Sequence, residues 1–415
     1  MRAYVESYGC TLNQGEACEV EERLLSLGHH MVSDPAEADV AVLVACVVIE
    51  ATERRMLKRL RELSSYGSKV VVTGCLAKAG TDEARRISPG AEYIAPGNLD
   101  AFEILLGRAA PAAEFEGATK ETGVAIVPIA TGCRGTCRYC ITRLARGDLS
   151  SRAPESVIDR VAKASASGPV ECRITAQDTA AYGADIGSDL VGLIAGICRL
   201  ENDFRLRLGM MNPDSVMPIL ERLPELYADP RVFKFLHLPV QSASDRLLDE
   251  MGRRYTLAEF ERVVSVFRAA YPESSLSTDM IVGYPGESDE DHGANLELIR
   301  RVRPDIVNVT RYSPRPGTEA FELGRGVVGW KAKDRSRALT EARFEVSLAR
   351  NERLVGVERR ALATERGKND STILRTDDYR QIVVRGALPL RRFYQVAVDG
   401  ATPTYLLGSL PAGNR

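Results

Sequence analysis

No stretch of this chain stays apolar long enough to cross a membrane. The longest run, Val40 to Ile49, falls far short of the roughly 18 residues a spanning helix needs. There is no large charge excess either. Across 415 residues, 55 Lys/Arg stand against 57 Asp/Glu, a net charge of −2. That excludes a uniformly basic nucleic-acid binder and leaves room for a local patch. No secretory signal pattern opens the chain, because Met1-Arg2 runs straight into a strand-like segment, Ala3 to Ser7. Nine cysteines without an export signal read as metal or redox residues rather than disulfides. A reducing, cytoplasmic compartment with no membrane is therefore expected. Histidine is scarce: His29, His30, His237 and His292 are the only four. The length predicts two or three domains, and 44% hydrophobic with 27% charged residues is ordinary for globular proteins.

What is present is Cys133-Arg134-Gly135-Thr136-Cys137-Arg138-Tyr139-Cys140. In this C-x3-C-x2-C spacing three thiolates of one loop can converge on one metal centre. A structural zinc wants four protein ligands, and an ordinary four-iron cluster takes four cysteines. Half of a zinc site remains the alternative, but no second C-x2-C or H-x3-H pair exists to complete it. With Tyr139 as its aromatic residue, the triplet resembles the radical S-adenosylmethionine signature. In that family the iron without a cysteine chelates the amino and carboxylate groups of S-adenosylmethionine.

The first hundred residues alternate strand and helix. Strands are expected at 3–7, 39–45, 69–73 and 92–95, with helices at 14–27, 49–63 and 98–106. Apolar strands alternating with helices predict a parallel sheet covered on both faces. Cys10, Cys46 and Cys75 each stand just past a predicted strand. The carboxyl ends of parallel strands line one edge, where ligands bind. The spacing thus predicts a second metal site, whereas Cys18, Cys172 and Cys198 read as core residues.

Residues 108–122 read as a linker. A second α/β series follows, with six strands at 124–129, 171–175, 204–208, 232–237, 276–282 and 306–310. Helices are expected at 154–166, 189–200, 215–223, 257–270, 289–302 and 331–351. Six units are too few for a full eight-fold barrel. From Gly356 five short strand-like runs predict a small β-barrel. Residues 354–415 hold ten Lys/Arg against six Asp/Glu, +4, leaving −6 for the remainder. A basic module on an acidic body points to a polyanionic substrate.

Taken together the chain resembles the methylthiotransferases end to end. Cys-Ile-Thr-Arg-Leu-Ala-Arg-Gly (140–147), His-Leu-Pro-Val-Gln-Ser (237–242) and Thr-Asp-Met-Ile-Val-Gly-Tyr-Pro-Gly-Glu (278–287) support this. Val44-Ala45 stands where the family often has Asn-Thr, and Ala243 where it often has Gly. Thr175-Ala176-Gln177 occupies the place of the wider family's Gly-Gly-Glu. The resemblance implies three domains. Residues 1–110 would carry an auxiliary cluster on Cys10, Cys46 and Cys75. Residues 123–352 would form an open six-unit TIM-like barrel with the radical cluster on Cys133, Cys137 and Cys140. Residues 354–412 would be a TRAM domain, a small RNA-binding β-barrel.

It further implies two [4Fe-4S] clusters, with S-adenosylmethionine as both radical source and methyl donor. Electron transfer cleaves one S-adenosylmethionine to a 5′-deoxyadenosyl radical, which removes a hydrogen from an unactivated carbon. A sulfur held at the auxiliary site fills the position, and a second S-adenosylmethionine methylates it. Tyr139, Thr175, Gln177, Gln241 and Ser242 are the expected cofactor contacts. Arg359, Arg360, Arg375, Arg380, Arg391 and Arg392, with Tyr379, are the expected tRNA contacts. An electron donor such as flavodoxin or ferredoxin and a monomeric chain are also expected.

Three functions compete: methylthiolation of a tRNA, methylthiolation of a ribosomal-protein aspartate, and a non-enzymatic RNA-binding protein with structural metal. Tyr312-Ser313-Pro314-Arg315-Pro316-Gly317-Thr318 resembles the tRNA branch. Within that branch the base is either isopentenyladenosine or threonylcarbamoyladenosine, both at position 37. The second ends in a carboxylate, and a buried carboxylate needs a cationic partner. Arg143, Arg146, Arg311 and Arg315 stand beside predicted barrel-mouth positions. Residues 51–56, 175–179 and 209–213 also look most like the archaeal and eukaryotic threonylcarbamoyladenosine enzymes. That substrate is therefore expected.

Overall fold

The computed structural model describes residues 1–108, 122–324 and 326–411. Most of the expected linker, 109–121, lies outside the described residues.

Val40–Ala45 is buried at every position, on both faces. Such a run can only be the middle of a covered sheet. It pairs in parallel with Arg2–Ser7 on one side and Lys69–Gly74 on the other. His30–Met31 and Glu92–Tyr93 complete five parallel strands as the two edges. Helices Thr11–Ser26, Glu50–Ser65 and Asp100–Leu106 cover the sheet. An additional short helix, Thr81–Ile87, was not expected.

The middle of the chain is an arc of six parallel strands in two halves. Val124–Pro128, Glu171–Thr175 and Arg205–Leu208 form one half; Phe235–His237, Ser275–Val282 and Ile306–Arg311 form the other. A bridge between Leu206 and Val232 joins them. Two outer helices begin with reciprocal caps, Thr256 with Glu259 before Leu257–Ala270 and Ser288 with Asp291 before Asp289–Val302. These caps satisfy end N–H groups that the helix cannot. The expected helix 215–223 is instead one α-turn, Pro213–Val216, followed by 3-10 helix Met217–Tyr227. Pro218 and Pro224 remove the donors an α-helix there would use.

The tail closes into a barrel of five strands: Glu358–Arg366, Ser371–Thr376, Gln381–Arg385, Leu406–Ser409 and Phe393–Ala401. It is docked on the arc. The Tyr379 hydroxyl donates to Glu171 Oε1 at 2.6 Å, and its ring lies 5.0 Å from Phe233 and 4.7 Å from Phe235. Arg380 reaches Asp305 at 2.5 Å and Asn351 at 2.6 Å, and Arg391 donates to the Gly168 carbonyl at 2.9 Å. Burial alone would push the Glu171 carboxyl up, but Arg173, Arg375 and Tyr379 hold it below its usual range. Tyr379, Arg380 and Arg391 are therefore committed to this seam, and their assignment as RNA contacts is corrected. Arg375 belongs with them, its guanidinium 4.7 Å above the Tyr379 ring. Arg360 and Arg392 remain exposed and Arg359 half-exposed.

Candidate metal centres

The cysteine loop leaves the first strand of the arc and is pinched at its base. Ala130–Thr131 pairs antiparallel with Ser150–Ser151, and the Cys133 N–H donates to the Gly147 carbonyl at 3.2 Å. Inside the loop the Arg143 guanidinium donates to the Cys133 carbonyl at 2.5 Å and the Gly135 carbonyl at 3.0 Å. The opposite wall is the turn Met251-Gly252. Met251 accepts from the Arg138 N–H at 3.0 Å, and Gly252 from the Thr136 hydroxyl at 3.0 Å. A Cβ on Gly132 would stand 1.8 Å from the Asp148 carbonyl oxygen. We expect Gly132→Ala to open this base and lower stability by about 3 kcal/mol or more, read as a fall in the denaturant midpoint.

Gly135 lies between two of the three thiols. A Cβ there would sit 3.2 Å from Cys133 Sγ and 3.6 Å from Cys137 Sγ. The Gly135 N–H points at Cys133 Sγ, 3.2 Å away. Burial pushes the Cys133 thiol up to about 11 and also raises Cys137. Cys140 immediately precedes helix Ile141–Arg146, with no capping bond from its side chain.

Tyr139 turns its ring edge to Tyr284, with centroids 6.2 Å apart, and shares its hydroxyl with Arg253. Arg253 also donates to Asn212 Oδ1 at 2.9 Å. Asn212 in turn gives its backbone N–H and its side-chain amide to the buried Asp178, each at 3.0 Å. Sequence reasoning missed Arg253, Asn212 and Asp178. Asp178 and Asn212 lie in the stretches 175–179 and 209–213 that carry the family resemblance, but no role was read for them, and Arg253 had no signal of its own. Gln177 Oε1 is buried and accepts nothing among the described residues. Gln241 is held at φ +62°, a conformation that costs a non-glycine residue about 1 kcal/mol or more. Thr175 is buried at its strand end. Ser242 is fully buried and its hydroxyl accepts from the Ser244 N–H, so it supports the turn and is corrected as a cofactor contact.

The second triplet lies along the carboxyl edge of the first sheet. Cys46 and Cys75 follow their strands directly and are buried; Cys10 immediately precedes helix Thr11–Ser26 and is exposed. Burial pushes Cys75 up to about 11, and the nearby Cys46 and Cys10 add to the shift. Two of the expected substrate arginines are built into this edge. Arg146 lies 3.4 Å from Cys75 Sγ and pairs with Glu16; Arg315 pairs with Glu53 at 2.7 Å. Their assignment as substrate contacts is corrected, as is that of Arg143, which clamps the cysteine loop. Arg311 is exposed, with no hydrogen-bond or ion-pair partner among the described residues.

One short helix links the two triplets. Cys140 stands at the start of Ile141–Arg146 and the last residue touches Cys75. Six residues span about 9 Å at 1.5 Å each. Residues 127–299 match the radical SAM superfamily, and residues 2–95 match a family described as "Uncharacterized protein family UPF0004". A Pyrococcus horikoshii protein named "Probable threonylcarbamoyladenosine tRNA methylthiotransferase" is 41% identical over 99% of both chains. The chain belongs to the threonylcarbamoyladenosine tRNA methylthiotransferase family. Another member, "Threonylcarbamoyladenosine tRNA methylthiotransferase MtaB" of Thermotoga maritima, is 32% identical over 86% of each chain. Among solved structures, the radical S-adenosylmethionine methyltransferase TsrM of Kitasatospora setae shares the fold, with a TM-score of 0.55 at 15% identity over 77% of each chain.

Membership in this methylthiotransferase family brings with it S-adenosylmethionine and a [4Fe-4S] cluster. The residues at the first triplet fit that group: Cys133, Cys137 and Cys140 lie close enough to influence one another, and Gly135, without a side chain, leaves room between two of the thiols. Among the described residues no three His, Cys, Asp or Glu side chains are grouped to hold a single ion. A four-iron cubane is wider than an ion and takes each thiolate on a different iron.

Proposed function

We propose that this chain converts N6-threonylcarbamoyladenosine at position 37 of tRNA to its 2-methylthio derivative. The observation that carries this reading is the pair of cysteine triplets set across helix Ile141–Arg146, in a chain like its relatives from end to end. Cys133, Cys137 and Cys140 hold one [4Fe-4S] cluster, and Cys10, Cys46 and Cys75 a second. Bound there, the first supplies the electron that cleaves S-adenosylmethionine and the second a site for the inserted sulfur.

The protein's own residues supply binding and position. Tyr139, fixed by Arg253 and Tyr284, packs against the nucleoside of S-adenosylmethionine. Gln177 offers its free acceptor to a ligand N–H, and Gln241 lines the same mouth. Arg311 remains free for the threonyl carboxylate, a charge-assisted contact. Arg359, Arg360 and Arg392 hold tRNA phosphates. A flavodoxin- or ferredoxin-type protein delivers the electron to a monomeric enzyme in the cytoplasm.

The test is mass spectrometry of nucleosides from tRNA incubated with the reconstituted full-length protein, dithionite and S-adenosylmethionine. The 2-methylthio derivative of threonylcarbamoyladenosine is expected. Product on isopentenyladenosine alone would overturn the substrate and leave the family intact. Arginine removal gives a second check. Arg359→Ala/Arg360→Ala/Arg392→Ala should weaken tRNA binding and lower the salt slope of log affinity by roughly three, about one per lost phosphate contact. An unchanged slope would move RNA binding off these residues.

A further inference from the structure

Arg146 occupies a position that neither substrate binding nor ordinary packing accounts for. It is the last residue of the helix begun by Cys140, yet its guanidinium lies in the first sheet's domain. Nη2 donates to Glu16 Oε2 at 2.8 Å and to Asn13 Oδ1 at 2.8 Å, and Nη1 also meets Glu16. Nε, on the other side, lies 3.4 Å from Cys75 Sγ. Asn13 is anchored by donating to the Tyr8 carbonyl at 2.9 Å, and its Oδ1 is 3.8 Å from Cys10 Sγ. Asn13, Glu16 and Arg146 are all buried, at 0%, 7% and 7% exposure. A buried ion pair contributes little net stability after desolvation. Its worth therefore lies in what it orients.

We propose that Arg146 is the positioning residue of the second metal centre: it donates a fixed hydrogen bond to the Cys75 sulfur and so sets the reduction potential of the cluster held there. This rests on the reading of Cys10, Cys46 and Cys75 as cluster ligands. Donors to ligand sulfur stabilise the more negative, reduced form and raise the potential. Glu16 works against this by compensating the positive charge, so the two side chains tune in opposite directions. Because Arg146 ends the helix that Cys140 begins, the same contact fixes the second centre relative to the first.

The experiment uses the full-length chain with Cys133→Ala/Cys137→Ala/Cys140→Ala, reconstituted anaerobically, so that only the second cluster remains. Iron and sulfide are counted, and the midpoint potential is read by redox titration followed by electron paramagnetic resonance. With Arg146 intact, about four irons per chain are expected. Arg146→Gln should retain iron and shift the midpoint to lower potential, Arg146→Lys should recover part of the shift, and Glu16→Gln should move it upward. A midpoint in Arg146→Gln equal to that of the parent overturns the proposal. Should Arg146→Gln fail to fold, as judged by circular dichroism, Glu16→Gln decides, and no upward shift overturns it. A parent protein that binds no iron would instead overturn the cluster assignment beneath it.

Discussion

Replacing Cys133, Cys137 or Cys140 with alanine is expected to reduce cleavage of S-adenosylmethionine to the rate of a protein-free control. Cys133 and Cys137 flank Gly135 and Cys140 stands at the start of the next helix, and no nearby side chain can substitute. The four histidines lie outside the loop, Asp178 is fully engaged by Asn212 and Ser215, and Arg143 binds only carbonyls and Asp148. The assay is release of 5′-deoxyadenosine and methionine after adding dithionite, with iron counted alongside. The alanine variant loses one ligand and not the loop, since the clamps from Arg143 and the Met251-Gly252 turn do not involve the thiols. A Cys137→Ala protein that cleaves at the parental rate would remove this loop from the chemistry.

The complementary expectation separates the two sites. Cys46→Ala and Cys75→Ala should leave 5′-deoxyadenosine formation within about twofold of the parent while methylthio product falls below detection. Both thiols sit on the first sheet's edge and touch none of the radical loop's backbone clamps. Cys75 meets the helix that follows the radical loop through Arg146 and through the apolar cluster it shares with Ile141 and Ala145, and touches no thiol of that loop among the described residues. Liquid chromatography of both products from one reaction gives the comparison directly. If a Cys75→Ala protein inserts sulfur normally, the second triplet is structural. If it loses cleavage as well, the two sites are not separable.

The parts of this architecture carried by local pattern were legible. Val40–Ala45 announces a doubly covered strand by being apolar at every position, and cysteines directly after such strands are placed on one edge by topology alone. The five tail strands were likewise readable from short alternating runs between turns. What was not legible depends on partners distant in sequence. Arg146 and Glu16 are 130 residues apart, and Tyr379 and Glu171 are 208 apart. An arginine in a basic tail looks the same whether it faces phosphate or the body of its own chain. Only the docked seam shows that Arg380 and Arg391 face inward while Arg392 faces out. Arg253 was invisible for the same reason: its meaning comes from Tyr139, 114 residues earlier.

On the proposed tRNA contacts, the seam under Tyr379 would also make the enzyme a ruler. A nucleic-acid grip on a slack tether would let the reactive mouth sample many nucleotides along a loop. Here the barrel is bolted to the arc by an aromatic wedge and three charged or hydroxyl contacts. With the tRNA backbone held at the barrel's exposed arginines as proposed, its distance to the cysteine loop would be a constant of the fold. On that reading, which nucleotide is modified would be decided partly by length, before any base is read.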